Sequence, residues 1–374
     1  MKIDPRYAID DPSALLSPSL LIFRDIVRDN LTSMIRVANG ADRLRPHVKT
    51  HKMPALIRLI EEMGVHKHKC ATIAEAEMVA QAGGRDVLLA YPLVGPNLAR
   101  WTDLIRTYPE TTFRAIVDHA DSARALSAAV VAAKLDRPLP VLVDLEVGMG
   151  RTGIDPGDGA ADLYALIAEL PGLVPDGLHA YDGHLQVVDL DERRQVTRAG
   201  FEPVLKLRDQ LQSRGLPVPR LVLGGTPALP VYAELDEPGI ECAPGTTVLH
   251  DAGYAAKYPD LPFTPAALLL TRVISHPRPD RICLDLGYKA VAADPVGARL
   301  TLLGVADATL GGQSEEHLVV DTPKASDYPP GTPLLAIPTH ICPTCALHQT
   351  AYIIEGGRLV DEWEVSARDR VLKV

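Results

Sequence analysis

Five of the eight residues in RPHVKTHK, positions 45–52, carry cationic or imidazole side chains: Arg45, His47, Lys49, His51 and Lys52. In an extended segment alternate side chains share a face, which would put His47, Lys49 and His51 together. A lysine at the C-terminal end of a barrel strand points into the mouth where barrel enzymes do their chemistry. Its chemistry there is an imine with an aldehyde cofactor or a carbonyl substrate. The bland alternative is a solvated basic strand end. A second cluster, THICPTCALH at 339–348, holds His340, Cys342, Cys345 and His348 at metal-ligand spacing. Two ligand sets compete: all four around a structural tetrahedral zinc, or His340 and Cys342 alone on a catalytic metal with open positions. In an extended segment residues i and i+2 point the same way, so that pair could reach one ion. Free thiols beside incidental histidines are the uneventful alternative.

Two glycine-containing turns, GGTP at 224–227 and ECAPGTT at 241–247, could present backbone N–H groups to a phosphate. Neither matches GxxxxGK[ST], so a nucleoside triphosphate is not indicated. Other polar residues punctuate strand ends: Asp144, Glu146 and Arg151 in VDLEVGMGRTG, Tyr181, Asp182, His184 and Gln186 in YDGHLQ, and Asp285, Tyr288 and Lys289 in LDLGYKA. The run HKHKC at 66–70 reads as half solvated loop and half strand.

The elements that must position these residues alternate. Short apolar runs at 16–23, 68–71, 86–90, 113–117, 140–145, 173–181 and 220–223 read as strands. Helical spacing at 25–37, 53–63, 73–80, 97–107, 120–135, 158–170 and 193–212 reads as helices, the last broken or kinked near Gly200 and Pro203. Such alternation is the signature of parallel βαβ units. Seven or eight units fit between residues 16 and 255, which favours an α/β fold of the (β/α)8 TIM-type barrel over an open doubly wound sheet. The dinucleotide GxGxxG fingerprint is absent. After about residue 260 helical periodicity fades, and strands are expected near 266–273, 281–286, 300–304, 316–320, 334–337, 351–354 and 358–365. The expected division is a barrel at 16–255 and a mostly β second domain built from 256–374, with 1–15 joined to it.

Composition narrows the function classes. The 374 residues carry 48 acids against 38 Lys and Arg, a formal charge of -10, so neither duplex nucleic acid nor an anionic membrane is the default partner. Apolar stretches are interrupted well before 18 residues, which excludes a transmembrane helix. No signal-peptide pattern is seen in MKIDPRYAIDDPS, and five scattered cysteines are not a disulfide framework. A soluble cytoplasmic protein is the expectation.

RPHVKTHK, DLEVGMGRTG, GGTP and PTHICPT, in that order over roughly residues 16–368, resemble the fold-type III pyridoxal-phosphate enzymes, and within them the branch of D-threonine aldolase and the eukaryotic-type D-serine dehydratase. The resemblance implies an alanine-racemase-like barrel with a following β domain, in a homodimer. It implies Lys49 as the residue that holds pyridoxal phosphate, and His340 and Cys342 as the ligands of a divalent metal. It implies that Gly224, Gly225 and Thr226 hold the phosphate, helped by Gly245 and Thr246. Arg151, Tyr181, His184 and Gln186 would line the cofactor. The base is Lys49 itself or a nearby histidine, His47 or His51. Ala346 and Thr247 stand where the family often has an asparagine and a tyrosine.

The aldolases of the branch usually show His-x-Asp at the metal pair and the dehydratases His-x-Cys. A thiolate favours zinc. The implied activity is therefore a lyase on a small β-hydroxy D-amino acid such as D-serine or D-threo-3-hydroxyaspartate, giving a keto acid and ammonia. The alternatives are retro-aldol cleavage to glycine and an aldehyde, an amino acid racemase, and a non-catalytic cofactor-binding protein.

Overall fold

The computed structural model describes residues 4–305 and 307–374. It divides into two compact units, one of residues 35–49, 54–245 and 369–374, the other of residues up to Met34, 50–53 and 246–368. The chain opens with β1 (Ser19–Phe23) and α1 (Arg24–Val37). The larger unit then alternates through α2 (Pro54–Glu62), β2 (Lys67–Cys70), α3 (Ile73–Gln81), β3 (Asp86–Leu89), α4 (Asn97–Thr107), β4 (Thr112–Val117), α5 (Ala120–Ala133), β5 (Leu139–Leu145), α6 (Asp158–Glu169), β6 (Leu173–Ala180), α7 (Leu190–Ser213), β7 (Leu221–Leu223), α8 (Leu229–Ala233) and β8 (Ile240–Cys242).

Strands β2 to β8 pair in sequence order, all parallel. The result is the expected α/β class, as a curled sheet of seven regular strands, one short of a complete (β/α)8 set. The stretch leading into RPHVKTHK and its first residues form only isolated parallel bridges, Leu44 with Cys242 and His47 with Lys69. Pro46 has no N–H to donate to a ladder, and Val48–Thr50 winds into a 3-10 turn. That turn ends the alternation that would have aligned His47, Lys49 and His51 on one face. Helix α7 is continuous through Gly200 and Pro203. Its buried stripe of Thr197, Phe201, Val204, Leu207 and Leu211 recurs at helical spacing, and its packing outweighs the bond lost at proline.

The barrel interior is apolar at mid-height, with Leu88, Ile116, Leu142, Val222 and Ala243 in one buried cluster. At the N-terminal ends of the strands it is charged. Arg45, with no solvent exposure, bonds Glu241 and Asp86 at 2.6 Å each. Asp86 also pairs with Arg114, Arg114 with Asp176 at 2.6 Å, Asp176 with Arg220, and Arg220 with Glu241 at 3.6 Å. The circuit is closed and alternates in sign, and Lys67 joins it at 3.0 Å from Glu241. Arg45, read from sequence as part of a reactive cluster, is spent here.

The other unit adds α9 (Ala252–Lys257), β9 (Ala267–Arg278), β10 (Arg281–Leu284), β11 (Leu300–Leu303), β12 (Thr309–Gln313), β13 (Leu318–Asp321), β14 (Pro333–Pro338), α10 (Ile341–Leu347), β15 (Thr350–Glu355) and β16 (Arg358–Glu364). Its nine-stranded sheet runs β12-β13-β10-β9-β1-β15-β16, with β14 on β9 and β11 on β14. Strand β1, grouped from sequence with the barrel strands, lies here, parallel to β15 and antiparallel to β9. All five of its residues are buried. None of the five cysteines is in a disulfide, and among the described residues no helix is long and apolar enough to cross a membrane.

The charge circuit sets an acid limit on stability. Burial raises the Glu241 carboxyl, but Arg45 and Lys67 outweigh it and bring it from 4.5 down to about 2. Its contribution is therefore complete above about pH 4.5 and lost as pH falls toward 2. Glu241→Gln should cost about 3 kcal/mol at neutral pH by removing one of the two carboxylates that meet the buried Arg45 charge, and should flatten the pH dependence across that window. Urea unfolding from neutral to acid pH checks both; parallel curves for the two proteins would refute the assignment.

Candidate functional site

The C-terminal ends of the barrel strands carry the first cluster. Lys49 lies in the Val48–Thr50 turn, with its Nζ 5.7 Å from the centroid of the Tyr181 ring. Lys69 Nζ stands 5.6 Å and the Arg151 guanidinium carbon 4.9 Å from the same centroid. Tyr181 directly follows β6. Three cationic side chains thus converge on one aromatic ring. Beside them His179 Nδ1 and Asp144 Oδ1 are 2.6 Å apart, and Thr152 donates to Asp144 Oδ2 at 2.9 Å. Burial lowers the His179 pKa against the opposing pull of Asp144, and burial raises that of Asp182, which Tyr232 hydrogen-bonds.

Arg151 is held out on a loop wrapped around Glu146, whose carboxylate accepts from the N–H groups of Gly148, of Gly150 at 2.7 Å and of Arg151 at 3.3 Å. Gly148 has φ +114°, and a Cβ there would come 2.6 Å from His184 Nε2, so this loop and His184 fit only without a side chain. Gly224 has φ +70°, and a Cβ on it would meet Tyr232 at 2.6 Å. The Thr226 hydroxyl accepts from Gly245 N–H at 3.2 Å, which ties the two glycine turns together. Gln186 is exposed in the connection before α7. His47 is engaged by main chain: its N–H donates to Pro244 O at 2.8 Å and its Nδ1 accepts from Lys49 N–H at 3.3 Å.

These residues fit a phosphorylated aromatic aldehyde. The cluster is cationic, it has an aromatic wall, and its glycine turns lie at the same strand ends. His179 Nε2, His184 Nδ1 and Asp182 Oδ2 are buried without a hydrogen-bond partner, as groups awaiting a polar ligand would be.

The second cluster lies in the sheet unit. His340 is the N-cap of α10, and Cys342 falls in the first helical turn, not in an extended segment. A hydrogen bond from the imidazole to the Cys342 thiol, against the cost of burial, raises the His340 pKa to about 9, with Asp294 adding to it. Asp294 Oδ2 stands 2.5 Å from His340 Nδ1, which fixes the ring. Asp251 caps both α9 and α10, accepting from Tyr254 N–H at 2.8 Å and Ile341 N–H at 3.1 Å, and burial lifts its pKa to about 6. Around Cys342 Sγ are two threonine hydroxyls, Thr50 at 3.3 Å and Thr246 at 3.8 Å. They directly follow Lys49 and Gly245 in the chain. His51 is buried in this unit, its Nδ1 accepting from Met53 N–H at 3.1 Å.

The four-ligand alternative is not assembled. Cys345 is fully buried, and the His348 Nε2 lies 2.8 Å from Ala290 O. Among the described residues no three His, Cys, Asp or Glu side chains gather as metal ligands. An imidazole and a thiol with an orienting carboxylate suit a divalent metal whose remaining positions go to water or substrate. Asp294, Asp251, Thr50 and Lys69 escape sequence reasoning. Each is placed by long-range pairing, and for Asp294 and Asp251 the only local signal is a polar residue beside a turn.

Residues 22–246 match the family model of the alanine racemase N-terminal domain, and residues 266–354 a model described as "Putative serine dehydratase domain". The chain is 30% identical to the D-threonine aldolase of Arthrobacter sp over 98% of its own length and 94% of the relative's. It is 26% identical to the D-threo-3-hydroxyaspartate dehydratase of Delftia sp. (strain HT23), over 93% and 96%. The crystal structure of the D-threonine aldolase of Filomicrobium marinum matches with a TM-score of 0.88 at 29% identity, over 95% of this chain and 96% of that one.

If Asp294 orients a metal-binding His340, Asp294→Ala should weaken metal affinity about 10- to 100-fold with the fold intact. Competition against a chromogenic chelator measures it. Affinity equal to that of the unaltered protein would show that the pair is only a surface contact.

Proposed function

The chain belongs to the family of the alanine racemase N-terminal domain, and we propose that it is a pyridoxal-phosphate- and zinc-dependent dehydratase of a β-hydroxy D-amino acid, releasing a keto acid and ammonia. One observation carries the reading. Thr50 and Thr246, peptide-bonded to Lys49 and Gly245, are the hydroxyl neighbours of Cys342. The residues expected to hold the cofactor are therefore each one residue removed from the surroundings of the metal pair.

Lys49 would hold the aldehyde, the turns at Gly224–Thr226 and Gly245 the phosphate, and Arg151 and Tyr181 the ring. When bound, pyridoxal phosphate supplies an electron sink that acidifies the substrate's α-hydrogen. A zinc ion held by His340 and Cys342 would supply Lewis-acid polarisation of the β-hydroxyl. The protein's own part is proton handling and orientation. Lys49 Nζ, freed by the incoming amino group, is the base for the α-proton. Asp294 keeps His340 in one ring orientation, and Asp144 does the same for His179. Thr50 and Thr246 hold the Cys342 sulfur by their hydroxyls.

Cys342 supports elimination over retro-aldol cleavage. Solved variants of a D-threo-3-hydroxyaspartate dehydratase replace a histidine and a cysteine, and the cysteine variant is in the metal-free form. The second reading, cleavage to glycine and an aldehyde, is favoured by the 30% identity to the Arthrobacter aldolase. Both use the same lysine and metal.

Product analysis separates them. With D-serine, D-threonine and D-threo-3-hydroxyaspartate supplied singly, keto acid and ammonia are expected, from a protein whose absorbance near about 415 nm disappears in Lys49→Ala. Chelation should abolish turnover and zinc restore it. Glycine with an aldehyde would establish the aldolase. Absence of the chromophore after adding pyridoxal phosphate would overturn both.

A further inference from the structure

Lys69 is the unexpected member of the cationic cluster. It sits on β2 within HKHKC, and it is 2% exposed. Strand alternation accounts for this. Lys67 and Lys69 share a face, and Lys67 reaches the charge circuit through Glu241. His68, on the opposite face, bonds Glu61 of α2. Lys69 thus points into the barrel, one level above the circuit. Its register partners are His47 on one side and Leu88, a member of the apolar cluster, on the other. It forms no ion pair with any described residue. The groups that face it are Lys49 and Arg151, the carboxylates of Asp144 and Asp182, the imidazoles of His179 and His47, and the Tyr181 ring.

We propose that Lys69 is a cofactor-binding residue that takes up a proton when the anionic aldehyde cofactor enters and holds it as a counter-charge while the cofactor stays. This rests on the pyridoxal-phosphate reading above. An ammonium in the barrel interior, beside two other cations and an apolar layer, lacks an anion of its own, and the cofactor's phosphate and ring oxygen supply negative charge. Burial first, and the Lys49 charge second, bring the Lys69 amine down to about 7. Near neutrality the free protein therefore leaves about half of Lys69 uncharged, and more of it as pH rises. An anion beside it reverses the balance and raises its proton affinity.

The test is isothermal titration with pyridoxine 5′-phosphate, which lacks the aldehyde and cannot condense with Lys49. Each titration is run in two buffers of different protonation enthalpy, at about pH 6 and about pH 8. The unaltered protein should take up about one more proton at the higher pH than at the lower, beyond the ligand's own titration. Lys69→Met should erase that extra proton and weaken binding about tenfold, the loss of one charged contact to an anion. Lys69→Arg, charged throughout, should bind tightly with no extra uptake.

Identical uptake and affinity in the unaltered protein and Lys69→Met would overturn the proposal and leave Lys69 a structural lysine. If Lys69→Met does not fold, the unaltered protein still decides, because no pH-dependent uptake there refutes it. Failure of the underlying reading looks different: no pyridoxine phosphate binding, and no Lys49-dependent chromophore with pyridoxal phosphate. In that case this proposal falls with it.

Discussion

Burying Arg45 is the constraint on which the barrel unit depends. A guanidinium removed from water costs several kcal/mol unless its charge and donors are met. Here the charge is met by Glu241 from β8 at Nε and Asp86 from β3 at Nη1, and each of those carboxylates is matched in turn by another arginine, Arg114 of β4 for Asp86 and Arg220, just before β7, for Glu241. The circuit can close only if the strands keep one relative height, so it specifies register where short strands alone specify it weakly. It also anchors the segment that bears Lys49. With Arg45 fixed below and the bridge at His47 fixed beside β2, Lys49 is delivered to the opposite end of the strands. Arg45 and Lys49 are four residues apart because they occupy opposite ends of one short crossing.

The vertical order of the interior follows from that anchor. Charge is neutralised pairwise at the N-terminal ends, apolar side chains fill the middle, and at the C-terminal ends cations gather around Tyr181. The apolar layer separates two electrostatic environments. Below it every cation has an anion within a hydrogen bond. At its level and above, Lys69, Lys49 and Arg151 form no ion pair with any described residue. A site with unmatched positive charge over a low-dielectric floor is suited to an anionic ligand, and the same floor makes Lys69 responsive to one.

Much of this was legible in the sequence where the signal is local. Helices with helical spacing and strands bounded by turns were found within a few residues, because burial of one face and its periodicity are the same fact. Lys49, the two glycine turns and the His340–Cys342 pair stand out in the sequence by residue type alone. What was not legible is partnership. HKHKC gave no sign that Lys69 is inside and Lys67 at the circuit, since a basic run carries the pattern of a solvated one. The short β8 and α10 offered too few residues for a period. Strand β1 looks like any buried parallel strand, and only its pairing with β9 and β15 assigns it to the second sheet.

The metal pair shows how packing decides between ligand sets that spacing leaves open. Once His340 becomes an N-cap, α10 begins at Ile341, and helical geometry turns Cys345 into the core. The helix ends at Leu347, and His348 meets the Ala290 carbonyl. Asp251 enforces this start by accepting from Ile341 N–H, so a buried carboxylate some ninety positions upstream fixes which thiol remains available. If His340 and Cys342 hold a metal, two protein donors would leave most of its shell to water and substrate. On the proposed reading, a substrate oxygen entering that shell would contribute to holding the ion, and occupancy would depend on the geometry of a single short helix.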